Sequence, residues 1–354
     1  LCWSLIYTRE QKRTPVQLTI LCYHHIDFPK RTPYSVSSKQ FLEQLNILEK
    51  FGYKIISLEQ VEAFYAGKAD IPSRSAVITF DDGNIGAYKV AYPLLKKRNI
   101  PWTLFIYPAV INSGHDKYAV TWPQVKEMAD NGVTIGNHSY SHHFLTSPPL
   151  AINNLDLYKK WLNREIVLSK KEIEKKTGRP IKYFAVPFGA FDRYVYNTLK
   201  KAGYRLVLNV HGQNNDEKSD PYNLNRQIIL SSESLAVFKT KISILPIKFL
   251  KTNPPDLART NIPTSDVEFI LAKKDNYKQE TIKLKLSGIK SFYLSNKSFT
   301  NIYDEKVILH RQGYYLATVL AKDKKDRLCL GTWLFRYDRT TPNFLLNLPK
   351  RKSK

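Results

Sequence analysis

At 354 residues, with 43% hydrophobic and 12% aromatic content, the chain has enough apolar material for a large core and more than one domain, which excludes a disordered or collagen-like chain. Its formal net charge of +24 is spread along the chain: residues after 250 hold 21 Lys and Arg against 10 Asp and Glu. Such a charge favours anionic membrane or cell-wall surfaces. Nucleic acid is the rival reading, but the sequence shows no zinc-finger spacing, RNP-type motif or basic helix with heptads, so no nucleic-acid partner is expected.

Residues 1–15 open with an apolar stretch too short to span a bilayer. It reads either as the remnant of a signal or anchor segment or as a frayed first strand. Cys2, Cys22 and Cys329 allow at most one disulfide and set no compartment. Cys22 reads as a small apolar residue of a buried strand.

Residues 16–245 alternate apolar strands with amphipathic helices. A strand over 16–23 ends at His24-His25, and Phe41, Leu45 and Leu48 recur at helical spacing before Gly52. The run Ala76-Val77-Ile78-Thr79-Phe80 is the next strand, followed by Asp81-Asp82-Gly83. A helix over 88–98 and a strand over 101–107 come next, then a helix capped by Thr121 and running through Asp130. A strand over 133–136 leads into Asn137-His138-Ser139-Tyr140-Ser141-His142-His143. A continuous charged helix is expected over 154–176, and strands over 183–186 and 206–210. This alternation predicts parallel strands in an α/β domain. Its chemistry-bearing residues, at 24, 81–82, 138–142 and 187–188, fall just after strand C-termini, where a β/α barrel places its active site.

Residues 246–265 hold Pro246, Pro254, Pro255 and Pro263 and read as a linker. Beyond them the period changes to strict alternation, as in Thr281-Ile282-Lys283-Leu284-Lys285-Leu286. Residues 266–354 read as a small antiparallel β domain of sandwich type, with Gly331 marking a bulge and a basic tail over 350–354. Residues 266–354 carry one His and no paired Asp, so a truncation ending near residue 250 is expected to keep activity.

Two adjacent carboxylates at a strand end repel unless a cation or a shared proton offsets them. Alone, Asp81-Asp82 could be a solvated turn, and His138 with His142 a surface pair. Together they compose a carboxylate and two-imidazole set suited to a divalent ion with an open position. Adjacent side chains leave a strand on opposite sides, so the two Asp are expected to do different things.

These residues resemble the polysaccharide deacetylase family, the NodB-homology or family-four carbohydrate esterases. The likeness covers about residues 20–230. It rests on Thr79-Phe80-Asp81-Asp82-Gly83, on His138-Ser139-Tyr140-Ser141-His142 and on Phe184-Ala185-Val186-Pro187-Phe188-Gly189. The opening Leu21-Cys22-Tyr23-His24-His25 and the stretch Phe51 to Leu58 are most similar to poly-N-acetylglucosamine deacetylases of the PgaB and IcaB type.

The resemblance implies a distorted (β/α) barrel of the NodB-homology type with fewer than eight strands. It implies one divalent metal, zinc first and cobalt, nickel or iron otherwise, on Asp82, His138 and His142. Asp81 is the implied general base, and the Phe188 amide, in a turn shaped by Pro187 and Gly189, the implied oxyanion donor. The general acid is His24 by similarity to the PgaB/IcaB branch, with His211 as the alternative. Ala185 stands where most of the family has an Arg that orients the catalytic Asp, and Arg226 resembles the late Arg that replaces it. The implied reaction is N-deacetylation of an N-acetylhexosamine polysaccharide by an extracytoplasmic monomer. Peptidoglycan, chitin or O-acetylated xylan are alternative substrates, and a silent glycan-binding module is the alternative to catalysis. Tyr34, Tyr107, Phe188 and Phe191 are candidates for stacking on sugar rings.

Overall fold

The computed structural model describes residues 15–28, 32–115, 117–149, 151–260, 264–288, 305–308 and 313–338. The opening segment 1–14 and the basic tail 350–354 lie outside them. Among the described residues, no helix is long and apolar enough to cross a membrane.

Seven apolar runs form parallel strands: β1 (Gln17–Tyr23), β2 (Arg74–Phe80), β3 (Thr103–Ile106), β4 (Thr134–Asn137), β5 (Tyr183–Ala185), β6 (Leu206–Leu208) and β7 (Gln227–Ile228). Their order is β7-β1-β2-β3-β4-β5-β6, and the short strand Lys54–Ile55 pairs beside β2. Most of their residues are buried, as expected where helices cover a parallel sheet. Between β6 and β7 the wall narrows to the single bridge Leu208–Leu224, giving an incompletely closed, distorted barrel.

The helices start at side-chain caps. The Ser37 hydroxyl accepts from the Gln40 amide ahead of Ser38–Lys50. Ser57 and Gln60 form a capping box ahead of Leu58–Tyr65. The helix expected to run unbroken over 154–176 is instead Leu155–Asn163, a π turn Arg164–Leu168 and Ser169–Thr177. The extra residue of that turn lets Glu165 and Ile166 both face inward, with a consequence for the site.

The C-terminal region is two packed sheets. Gly313–Asp323 lies between Tyr277–Gly288 and Leu328–Tyr337, antiparallel to both. Thr264–Leu271 lies between Phe249–Asn253 and Glu305–Ile308, again antiparallel. The sheets meet where the rings of Phe249 and Phe269 pack on Trp333, with centroids 5.3 and 6.2 Å away.

Two expectations are corrected here. The described part of 246–265, all but 261–263, is not a linker: Leu245–Pro246 and Ala258–Thr260 pair parallel with Leu328–Tyr337, and Phe249–Asn253 joins the second sheet. Pro246 sits on an edge strand, where its missing N–H costs the ladder nothing. Gly331 is not a bulge either, because the Val319–Gly331 pair lies within an unbroken register. A Cβ there would lie 2.6 Å from the Phe249 ring, so the glycine permits close approach of the sheets. Nor does the β domain hang free of the barrel. Leu257, Tyr314 and Leu334 belong to the same buried cluster as the barrel core. Asp256 ties the Leu334 amide to the Asn223 side chain.

Candidate functional site

Asp81 continues the β2 ladder, its amide donating to the Tyr23 carbonyl at 2.9 Å. Its carboxylate meets the guanidinium of Arg226, which enters from the segment between the Leu224 bridge and β7. Two parallel bonds of 2.7 Å join them, and both side chains are almost fully enclosed. Arg226 also donates to the Asn209 carbonyl at 3.0 Å and to the Thr79 hydroxyl at 3.2 Å. The Phe105 ring lies 5.5 Å from the guanidinium carbon. Gly136 makes space for that ring, since a Cβ there would lie 2.3 Å from it. Burial pulls the Asp81 pKa up, but the Arg226 charge, with His138 and the bidentate hydrogen bond, outweighs it and holds the carboxyl well below the usual carboxylate range. The Cys22 thiol donates to Asp81 Oδ2 at 3.4 Å, and burial pushes this thiol up, keeping it protonated.

Asp82 has the opposite surroundings. Its backbone is left-handed (φ 71°), which swings its carboxylate back toward the same imidazole that Asp81 approaches. His138 Nε2 is 3.6 Å from Asp81 Oδ2 and 3.6 Å from Asp82 Oδ1, and His142 Nε2 is 3.4 Å from Asp82 Oδ1. The expectation that the two carboxylates diverge is thus corrected: alternation holds only along a strand, and the chain turns at Asp82. Asp82 Oδ1 is buried without a hydrogen-bond partner, and burial pushes this carboxyl up to about 6. His138 Nδ1 donates to the Ala185 carbonyl at 2.8 Å, which leaves the Nε2 lone pair facing Asp82. Burial lowers both imidazoles, His138 to about 3, so both are neutral at pH 7.

The ligand-type atoms of Asp82, His138 and His142 all lie within 4.8 Å of one another. Bonds of about 2.0–2.1 Å to a tetrahedral ion imply ligand separations of about 3.4 Å, close to those observed. An orphaned carboxylate oxygen facing two neutral imidazoles fits a divalent cation.

The loop after β4 is held by Glu165, which accepts from the Tyr140 and Ser141 amides at 3.0 Å and from the Ser141 hydroxyl at 2.7 Å. The π turn places that carboxylate inside. Ser139 and His142 have left-handed backbones, and the His142 amide donates to the Ser139 hydroxyl at 3.0 Å.

The remaining expected residues divide. One ring nitrogen of His24 lies within 4.8 Å of Cys22 Sγ and an Asp81 carboxylate oxygen; its Nδ1 is buried without a partner, and its ring packs against Tyr34. His211 is behind the 187–189 turn, donating from Nε2 to the Gly189 carbonyl at 2.8 Å; burial lowers it to about 4. Pro187 is buried; Phe188 has φ 60° and a ring 44% exposed, 4.7 Å from the His142 ring centroid. Gly189 admits no Cβ, which would lie 2.6 Å from Val210. Tyr34 is exposed, Tyr107 lies 5.2 Å from His142, and Phe191 is core. Sequence reasoning missed Glu165, the Cys22 contact, and the Thr79 and Asn209 bonds to Arg226. Only Glu165 left a signal: a carboxylate on the buried stripe with Tyr158, Leu162 and Ser169.

Residues 68–207 match the family model for polysaccharide deacetylase. YxkH of Bacillus subtilis (strain 168) is 28% identical over 192 residues, which cover 54% of this chain and 64% of that protein. The poly-beta-1,6-N-acetyl-D-glucosamine N-deacetylase of Staphylococcus aureus (strain MRSA252) is 29% identical over 203 residues, 55% of this chain and 68% of that one. The fold is similar to that of the Streptococcus pyogenes deacetylase PplD solved with acetate, with a TM-score of 0.56 at 24% identity, covering 65% of this chain and 99% of that one.

Proposed function

We propose that the chain, whose residues 68–207 match the polysaccharide deacetylase family model, is a member of that family and a metal-dependent hydrolase removing N-acetyl groups from an N-acetylhexosamine polymer, poly-N-acetylglucosamine first. The observation that carries this reading is the contrast between an arginine-clamped Asp81 and an unpartnered Asp82 facing two neutral imidazoles. The staphylococcal relative's activity supports the substrate class.

Asp82, His138 and His142 would hold the divalent ion, zinc before cobalt, nickel or iron, and it supplies Lewis acidity toward the acetyl carbonyl and toward water. Asp81 is the general base. Arg226 keeps it ionised and fixes its orientation, at the cost of lowered basicity, which burial partly restores. The Phe188 amide, in its strained turn, donates to the oxyanion that develops as the carbonyl is attacked. His24, with a ring nitrogen within 4.8 Å of an Asp81 oxygen, gives the proton to the leaving amine. His211 braces the Gly189 carbonyl, which supports His24 over it as the acid. The exposed rings of Tyr34 and Phe188 offer faces for sugar.

The test is acetate release from poly-N-acetylglucosamine, chitin oligomers, peptidoglycan and O-acetylated xylan, with chelator and after adding back each metal. Metal-restored release from the first substrate is expected. Release that survives full chelation, or occurs only from xylan, would overturn the reading. The net charge of +24 supports an extracytoplasmic enzyme drawn to anionic surfaces. Co-sedimentation with anionic but not neutral vesicles, declining with salt, is the expected result.

A further inference from the structure

The loop carrying His142 is gripped from two directions. Glu165 of the barrel holds its start. The β domain holds its continuation: the Tyr314 hydroxyl bonds the Thr146 hydroxyl, Arg259 Nη2 donates to the Thr146 carbonyl at 3.4 Å, and Arg336 Nη1 donates to the Ser147 hydroxyl at 2.7 Å. Both arginines are fixed in turn by Asp338, at 3.0 Å from Arg259 and 2.7 Å from Arg336. Arg259 also donates at 2.6 Å to Asp192, the N-cap of the barrel helix Arg193–Lys201. These four side chains are almost fully enclosed.

An aromatic column runs along the same path. Tyr314 stacks on Phe144 with centroids 6.4 Å apart, and Phe144 on Phe188 at 4.0 Å, each pair within 16° of parallel. Phe188 then meets His142 edge-on. Both ends of this last contact are non-glycine residues with left-handed backbones, φ 60° and 57°. Such conformations persist where the surroundings over-determine them.

We propose that the β domain is part of the catalytic apparatus, with Tyr314, Arg259 and Arg336 as positioning residues that fix the 142–147 loop and the Phe188 turn. The inference rests on the deacetylase reading of the cluster, and it extends the site beyond the family match, which ends at residue 207. It also reverses the expectation that a truncation near residue 250 keeps activity. Such a truncation would remove the Tyr314 end of the column and uncover the barrel core packed against Tyr314 and Leu334.

The test uses the full chain with Tyr314→Leu, Tyr314→Phe and, as a control on the exposed outer face of the second sheet, Leu250→Ser. Two readouts are taken: amide hydrogen exchange in segments 139–147 and 186–190, and kcat with KM for acetate release. Tyr314→Leu should speed exchange in both segments and lower kcat roughly ten- to hundredfold with KM nearly constant. Tyr314→Phe keeps the column and should recover most of kcat, and Leu250→Ser should match wild type. Unchanged exchange and kcat in a folded Tyr314→Leu protein would overturn the proposal, as would equal effects from Leu250→Ser. Should Tyr314→Leu not fold, Arg336→Gln, which removes the bond to the Ser147 hydroxyl, carries the same two readouts. A wild type that releases no acetate would sink the deacetylase reading, while the exchange difference would still decide the positioning role.

Discussion

Asp81 and Asp82 share a peptide bond and almost nothing else. Asp81 is enclosed and fully answered by Arg226, with a carboxyl held well below its ordinary range. Asp82 is turned by a left-handed backbone toward two neutral imidazoles, leaving one buried oxygen unanswered. One carboxylate is complete within the protein and the other leaves an oxygen open to a ligand. The difference lies in one backbone turn and one arginine delivered from a distant strand, not in residue type.

The hardest blow to this contrast should be Asp81→Asn. The amide keeps the shape but cannot take the proton, so turnover should fall by about two to four powers of ten while metal content stays at wild-type level. Near-normal acetate release, or loss of metal, would erase the distinction between the two residues. Next comes Arg226→Met, which strands a buried charge. Urea unfolding at pH 7 should show a loss of about 3–5 kcal/mol, and the double variant with Asp81→Asn should recover part of it. An additive double variant would mean that the pair is not coupled.

A milder effect is expected at His211, next to the Gly189 turn. Its folded pKa of about 4 lies below the ordinary value of about 6.5. The neutral ring's contribution is therefore present above about pH 6.5 and lost as pH falls through 4, amounting to about 3 kcal/mol. His211→Gln, which can still donate to the Gly189 carbonyl, should flatten the fall of Tm between those pH values; an unchanged slope would contradict it. The smallest stability change should be at Asp82. Asp82→Ala should abolish metal binding by calorimetry yet leave the metal-free protein as stable as wild type or better, by at most about 1 kcal/mol. Destabilisation comparable with Arg226→Met would show that Asp82 is as fully partnered as its neighbour.

Much of this was legible before any coordinates. Buried parallel strands are continuous apolar runs, so β1 and β2 stand out, and the motif residues sit at their ends. The linker reading of 246–265 failed because proline marks linkers and edge strands alike, and only pairing tells them apart. The turn at Asp82 was hidden because period-two reasoning stops where the strand does. Arg226 needed a resemblance to be noticed, since a lone Arg in a polar stretch carries no periodic signal. Nothing local could foretell Tyr314 beside Thr146, because that contact is made by the folded whole.

The grip on the His142 loop has a consequence for the order of assembly. Its contacts join Thr146 to Tyr314 and Ser147 to Arg336, across 168 and 189 residues of chain. Closing such long loops is entropically costly and comes late in folding. The Asp82 turn and the His138 tautomer depend on the barrel alone, so those two residues are set first. A chain emerging N-terminus first therefore fixes Asp82 and His138 before it fixes the His142 loop. On the metal reading proposed above, tight capture would wait for the docking of the last described strand.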